Sequence, residues 1–267
     1  MQFILVAILL FVSVSSINTF ASILTFKPLT AYTFEPRIGS SYNFNDNNLR
    51  LDIGASFDLI KLNEGKDNEM SFGADFFTFT RLRSEDNFKF PVETSDYFFG
   101  INYSAKFTIF NEHFESRIRV AHISSHLVDG YSNKGFFFKQ PFVYSREFAE
   151  AHLASYIYLS NGAYIRPYLG IKEVFSTQPD DITELQGQLG SDILYKLSNN
   201  FEISGCLHLA NGENTTNFNS QIGMNIKFLQ NIGLFLGYYY YSGNSIHGMF
   251  YKDKINYSAI GFQIIYQ

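Results

Sequence analysis

From Leu49 to Leu59 the chain alternates without a break. Leu49, Leu51, Ile53, Ala55, Phe57 and Leu59 are apolar, while Arg50, Asp52, Gly54, Ser56 and Asp58 are polar or small. Successive side chains of a strand point to opposite faces, so this segment has one greasy face and one wet face. The same pattern recurs along the chain and predicts twelve strands. They fall at about 37–44, 49–61, 70–82, 95–110, 114–126, 142–159, 163–175, 185–197, 200–209, 217–228, 232–241 and 254–266. No helical period and no second domain is visible. Proline is nearly absent from the strand interiors, as pairing on both sides requires.

The connections alternate in length. Asn111-Glu112-His113, Ser160-Asn161-Gly162, Ser198-Asn199 and Leu229-Gln230-Asn231 read as tight turns. Between them, 83–94, 127–141, 176–184, 210–216 and 242–253 read as longer polar loops. Only the first hairpin departs, with a short turn at Asn45–Asn48 and a longer connection around Gly65. Short turns on one side and longer loops on the other are the habit of a bacterial barrel with both termini inside. An even strand count returns the chain to its starting side. The expected fold is therefore all-β, a transmembrane antiparallel β-barrel of twelve strands in a bacterial outer membrane.

Residues 1–21 fit an export signal. The apolar run Phe3–Val14 leads into Ser13–Ser16 and then Thr19-Phe20-Ala21, a small-x-small cleavage pattern, although no Lys or Arg precedes it. The run is too short for a transmembrane helix. The expected division is a signal peptide at 1–21 and a barrel at 22–267, long enough for one large barrel.

The wet face carries both signs, including Asp52, Asp58, Asp75, Arg117, Arg119, Asp192 and Lys227. Arg146, Glu150 and His152 fall on it too and are expected to join internal ion pairs. Such mixing suggests a lumen crossed by ion pairs, not a wide pore of one sign. The net charge of −5 is spread without a basic stripe, which argues against a nucleic-acid partner. Cys206 is the single cysteine, so no intramolecular disulfide staples the fold. Tyr238–Tyr241 are expected at the outer interface as part of an aromatic girdle.

One strand breaks the greasy-face rule. In 116–126 the lumen takes Arg117 and Arg119, so the other face reads Ile118, Val120, His122, Ser124, His126. His122 and Ser124 thus stand side by side, pointing outward near the external rim. A nucleophilic Ser needs such an imidazole within reach. The next strand has the outward register Ala149, Ala151, Leu153, which puts Ser145 and Glu147 on the same face. A hairpin symmetric about residues 134 and 135 sets Glu147 opposite His122. Cross-strand Cβ atoms lie about 4.5–5.5 Å apart, close enough for Glu147 to orient the ring. A two-residue slip would replace Glu147 with Ser145 or Ala149. His126 and Asp129 are candidates for binding a divalent ion such as Ca2+, beside the alternative of a solvated loop. No zinc spacing or phosphate-cradling glycine loop is present. The plain alternative is a polar girdle at the rim, where polar side chains cost little.

The His122-x-Ser124 pair resembles that of two outer-membrane lipid hydrolase families, the barrel phospholipases A and the lipid A deacylases. The resemblance implies His122 as base and Ser124 as nucleophile, on an outward face toward lipid. Those families continue with Asn-Gly, whereas Ser125-His126 follows here. A longer resemblance, over nearly the whole mature chain, is to a bacterial family catalogued as domain of unknown function 1207. It rests on Phe26-Lys27-Pro28-Leu29, Glu35-Pro36-Arg37, the run His122–Asp129, Tyr144-Ser-Arg-Glu147 and the run Ser242–Tyr251. It implies fold and location only.

Three roles follow. The first is a surface-exposed or structural barrel, the second an acyl-ester hydrolase with Ser124, His122 and Glu147, the third a small diffusion channel, disfavoured by the mixed inner charges. The expected partners are outer-membrane lipids, phospholipid or lipopolysaccharide, and no cofactor is required.

Overall fold

The computed structural model describes residues 24–66, 68–159, 162–181, 185–212, 216–229 and 232–266. The expected signal segment, 1–21, lies outside these. No described helix is long and apolar enough to cross a membrane. Among the described residues twelve long strands make the wall: β1 (Ile38–Asn43), β2 (Asn48–Leu62), β3 (Met70–Arg83), β4 (Val92–Ile109), β5 (Glu112–Leu127), β6 (Tyr144–Ser155), β7 (Ala163–Gln178), β8 (Leu185–Lys196), β9 (Phe201–Gly212), β10 (Thr216–Lys227), β11 (Ile232–Asn244) and β12 (Lys254–Tyr266). Each pairs antiparallel with the next. β12 closes the ring on β1, from Ile38 opposite Ile264 to Asn43 opposite Ala259. The pair Ile157–Tyr158 prolongs the β6 side of β7 beyond a break at Tyr156. A two-residue turn of Phe110 and Asn111, both with positive φ (51° and 66°), joins β4 to β5. That backbone twist suits a tight hairpin between twisted strands.

Burial is inverted relative to a water-soluble domain. Outward positions such as Ile53, Phe72, Phe99, Ile101, Ile118, Leu169 and Ile222 are exposed, while Asp75, Asp96, Arg119, Glu150 and Arg166 are buried. A closed ring leaves no unpaired edge, and an apolar exterior requires hydrocarbon around it. The protein is thus an outer-membrane β-barrel. Of the four consecutive tyrosines, only Tyr238 and Tyr240 face outward. Tyr239 and Tyr241 are buried in the lumen, because a strand cannot send neighbouring side chains to one side.

Sequence periodicity gave no hint of what fills the barrel. Residues 24–37 fold into the lumen from the short-turn end and return to begin β1. Their backbone carbonyls are taken up all around the wall: Arg119 Nη2 donates to Phe34 O at 3.1 Å, Arg166 Nη2 to Lys27 O at 2.8 Å and Gln221 Nε2 to Thr30 O at 3.0 Å. Asn219 holds the Ala31 carbonyl. Glu35 accepts both Nη groups of Arg117, at 2.5 and 2.8 Å. Tyr32 donates to Glu150 at 2.6 Å. An irregular segment inside a membrane protein needs its polar backbone groups satisfied by protein, and these wall side chains supply partners for many of the plug's carbonyls.

The expected lumen of ion pairs is present. Arg119 bridges Glu150 and Asp75, and Arg166 bridges Glu115 and Asp192. At the long-loop end, 245–253 folds inward. His247 Nδ1 meets Asp96 Oδ2 at 2.7 Å, Gly248 N donates to Asp96 Oδ1 at 2.8 Å and Met249 N to Ser125 Oγ at 3.1 Å. The plug thus occupies the lumen from one end and the last loop from the other.

Candidate functional site

The site is built by β5 and β6. Arg117, Arg119 and Ile123 of β5 and Phe148, Glu150 and His152 of β6 are committed to the lumen, so alternation forces His122, Ser124, Ser145 and Glu147 outward. The pairing register sets His122 opposite Glu147 and Ser124 opposite Ser145. This is the register that symmetry about residues 134 and 135 predicts. His122 Nδ1 and Glu147 Oε1 are 2.7 Å apart, and both side chains are partly exposed on the barrel's outside.

The acid thus engages one ring nitrogen, which fixes the ring and leaves Nε2 free of Glu147. A base–orienter pair has this geometry, with the second nitrogen available for a hydroxyl. Ser124 follows on the same face but makes no hydrogen bond to His122. Catalytic contacts are commonly loose without substrate and tighten in the complex. Tyr97 stands opposite Ser124 and Phe99 opposite His122 on β4. On the other flank the register of β7 shifts between Val174 and Ser176, and this irregularity brings Ser176 opposite Glu147. Beneath lie Val120, Ile118 and Ile171, exposed and apolar, so a polar patch tops a lipid-facing wall.

His126 also points outward and meets the Tyr97 ring edge-on at 5.9 Å. Asp129 is exposed in a short turn whose carbonyl is held by Ser132 Oγ at 2.6 Å. The structure does not bring them together with a third acid. Among the described residues no group of three or more His, Cys, Asp or Glu side chains can hold a metal.

Sequence reasoning missed the Asp96–His247–Ser125 cluster, which ties β4, β5 and the last loop into one buried polar knot. His208 faces the lumen and shares a hydrogen bond with Tyr168 Oη at 3.0 Å. A signal for the knot existed in the runs His122–Asp129 and Ser242–Tyr251, whose members Ser125 and Met249 meet across the lumen.

A family model described as "Protein of unknown function (DUF1207)" matches residues 23–267. No curated protein matches the chain. Among solved structures, the transport unit of the autotransporter AIDA-I from Escherichia coli is 12% identical, with 86% of this chain and 88% of that chain covered at a TM-score of 0.49. The β domain of the Bordetella autotransporter BrkA is 10% identical over 86% of this chain and 96% of that chain, TM-score 0.45. The translocator domain of NalP from Neisseria meningitidis is 9% identical over 85% and 84%, TM-score 0.42.

Proposed function

The chain belongs to the DUF1207 family of proteins of unknown function, and we propose that this outer-membrane barrel is a hydrolase of lipid acyl esters. The observation that carries the reading is the 2.7 Å contact of His122 Nδ1 with Glu147 on the outward face, two residues from an outward Ser124. Neither side chain helps to fill the lumen or hold the plug. An oriented imidazole on a lipid-facing wall is chemistry in search of a substrate that approaches sideways.

In this reading Ser124 Oγ attacks the ester carbonyl of a phospholipid or of lipid A, and His122 Nε2 takes the hydroxyl proton. Glu147 holds the Nδ1 proton and stabilises the charged ring. His122 then returns a proton to the departing alcohol, leaving the fatty acid esterified to Ser124. Water, deprotonated by the same nitrogen, releases it. Ca2+ has no assigned role in these steps.

A second reading is a polar rim without catalysis, favoured by the missing Ser124–His122 hydrogen bond. Purified barrel in detergent, given phospholipid and lipid A separately, distinguishes the two. The Ser124→Ala variant is expected to lose fatty-acid release by about 10²-fold or more while keeping its fold. Equal release by both proteins leaves only the rim. A channel is a third reading, opposed by the plug and last loop bonded inside the lumen, and a stable large conductance in a planar bilayer would favour it.

A further inference from the structure

A pocket of about 160 Å³ opens at the long-loop end of the lumen, away from the outward site. Its floor is Thr33 and Phe34, the apex of the plug. Its walls carry Arg146 of β6, Lys172 and Gln186 of β7 and β8, and Tyr144; at its mouth stand Asp181 and Lys252.

The charges in it do not balance. Lys172 is only 4% exposed, and no carboxylate among the described residues lies within ion-pair distance of it or of Arg146. Arg146 Nε is buried without a hydrogen-bond partner. The acids that could serve are already engaged. Glu150 accepts from Arg119 and Tyr32, and Asp181 is held at the mouth by Lys252 and by Tyr251 Oη. What the two cations do have is the Phe34 ring, 5.4 Å from the Arg146 guanidinium and 5.3 Å from the Lys172 ammonium. A ring face attracts a cation but does not neutralise it. Elsewhere in the same lumen every buried arginine that reaches the plug, Arg117, Arg119 and Arg166, has its carboxylate. A buried ammonium beside a half-buried guanidinium, with no counterion among the described residues, opposes folding.

We infer that this pocket binds a compact oxyanion, a phosphate group, between Arg146 and Lys172. The guanidinium supplies a planar fork for two phosphate oxygens and the ammonium a compact point charge. Tyr144, Gln186 and Asn217 are among the other residues that line the pocket. Asp181, Asn244, Ser245 and Lys252 border the pocket at the long-loop end, so the group arrives from that side, either as free phosphate or as the phosphate of a sugar. The site is independent of Ser124 and of any hydrolysis there.

The test is calorimetry on the full-length barrel, refolded in zwitterionic detergent without phosphate, titrated with inorganic phosphate and separately with glucose 1-phosphate. Saturable binding of either is expected, and Lys172→Met and Arg146→Gln should each weaken it by about tenfold or more. Binding of glucose 1-phosphate as well supports a sugar-borne group, and binding of phosphate alone supports the free ion. No binding of either probe, or equal affinity in the variants, overturns the proposal. A second readout guards against misfolding. In phosphate-free buffer Lys172→Met should melt at or above the wild-type temperature, and phosphate should raise the wild-type midpoint only; an equal rise in both refutes the site.

Discussion

Arg119–Glu150 and His122–Glu147 are acid–base pairs on the same two strands, three residues apart, pointing in opposite directions. The inward pair is fully buried and doubly used, since Arg119 also holds the Phe34 carbonyl and Asp75, and Glu150 also holds Tyr32. The outward pair makes no other side-chain hydrogen bond or ion pair among the described residues. One pair is explained by the fold and the other is not. That difference locates function better than either pair's own strength.

The comparison breaks first if the two pairs prove equally structural. Arg119→Ala strands Glu150 and Asp75 and is expected to cost about 3–5 kcal/mol in urea unfolding followed by circular dichroism. Glu147→Gln, at the rim, should cost no more than about 1 kcal/mol in the same assay while losing fatty-acid release. Similar costs would make both pairs parts of the scaffold. The same contrast of faces can be sharpened on β8. A Cβ at inward Gly190 would lie 2.3 Å from the Tyr168 ring, whereas one at outward Gly187 meets nothing within 4 Å. Gly190→Ala should therefore cost about 1–3 kcal/mol, and Gly187→Ala should stay within about 0.5 kcal/mol of wild type. The smallest effect belongs to the loops. Asp181, held below its usual carboxylate range by hydrogen bonds from Lys252 and Tyr251, is exposed. Asp181→Asn is expected to leave the unfolding midpoint unmoved, because surface ion pairs in water contribute little.

The wall was legible because period-two alternation is strong wherever one face meets lipid and the other a polar lumen. Strand ends from β2 to β12 fall within a few residues of the pattern, and the β5–β6 register followed from hairpin symmetry alone. Outward His122 and Glu147 stood out because they sit where Leu51 and Phe57 sit on β2. The plug was not legible. Residues 24–37 have no period, and their bonds run mostly from backbone carbonyls, which no side-chain pattern encodes. The lumen partners were legible only as a set. Arg146 was expected in an ion pair and has none among the described residues, because Glu150 opposite Lys172 is already held by Arg119 and Tyr32.

The plug's bonds also set an order of events. Glu35 meets Arg117 across 82 residues, Tyr32 meets Glu150 across 118, and Thr30 meets Gln221 across 191. Closing such spans before the hairpins between them have formed carries a large entropic cost, so local hairpins should form early. The plug, residues 24–37, would then gain its full set of partners only once β10 is in place. The ring must be nearly assembled around a thread that is not yet fastened, and the final step of folding is one of internal docking.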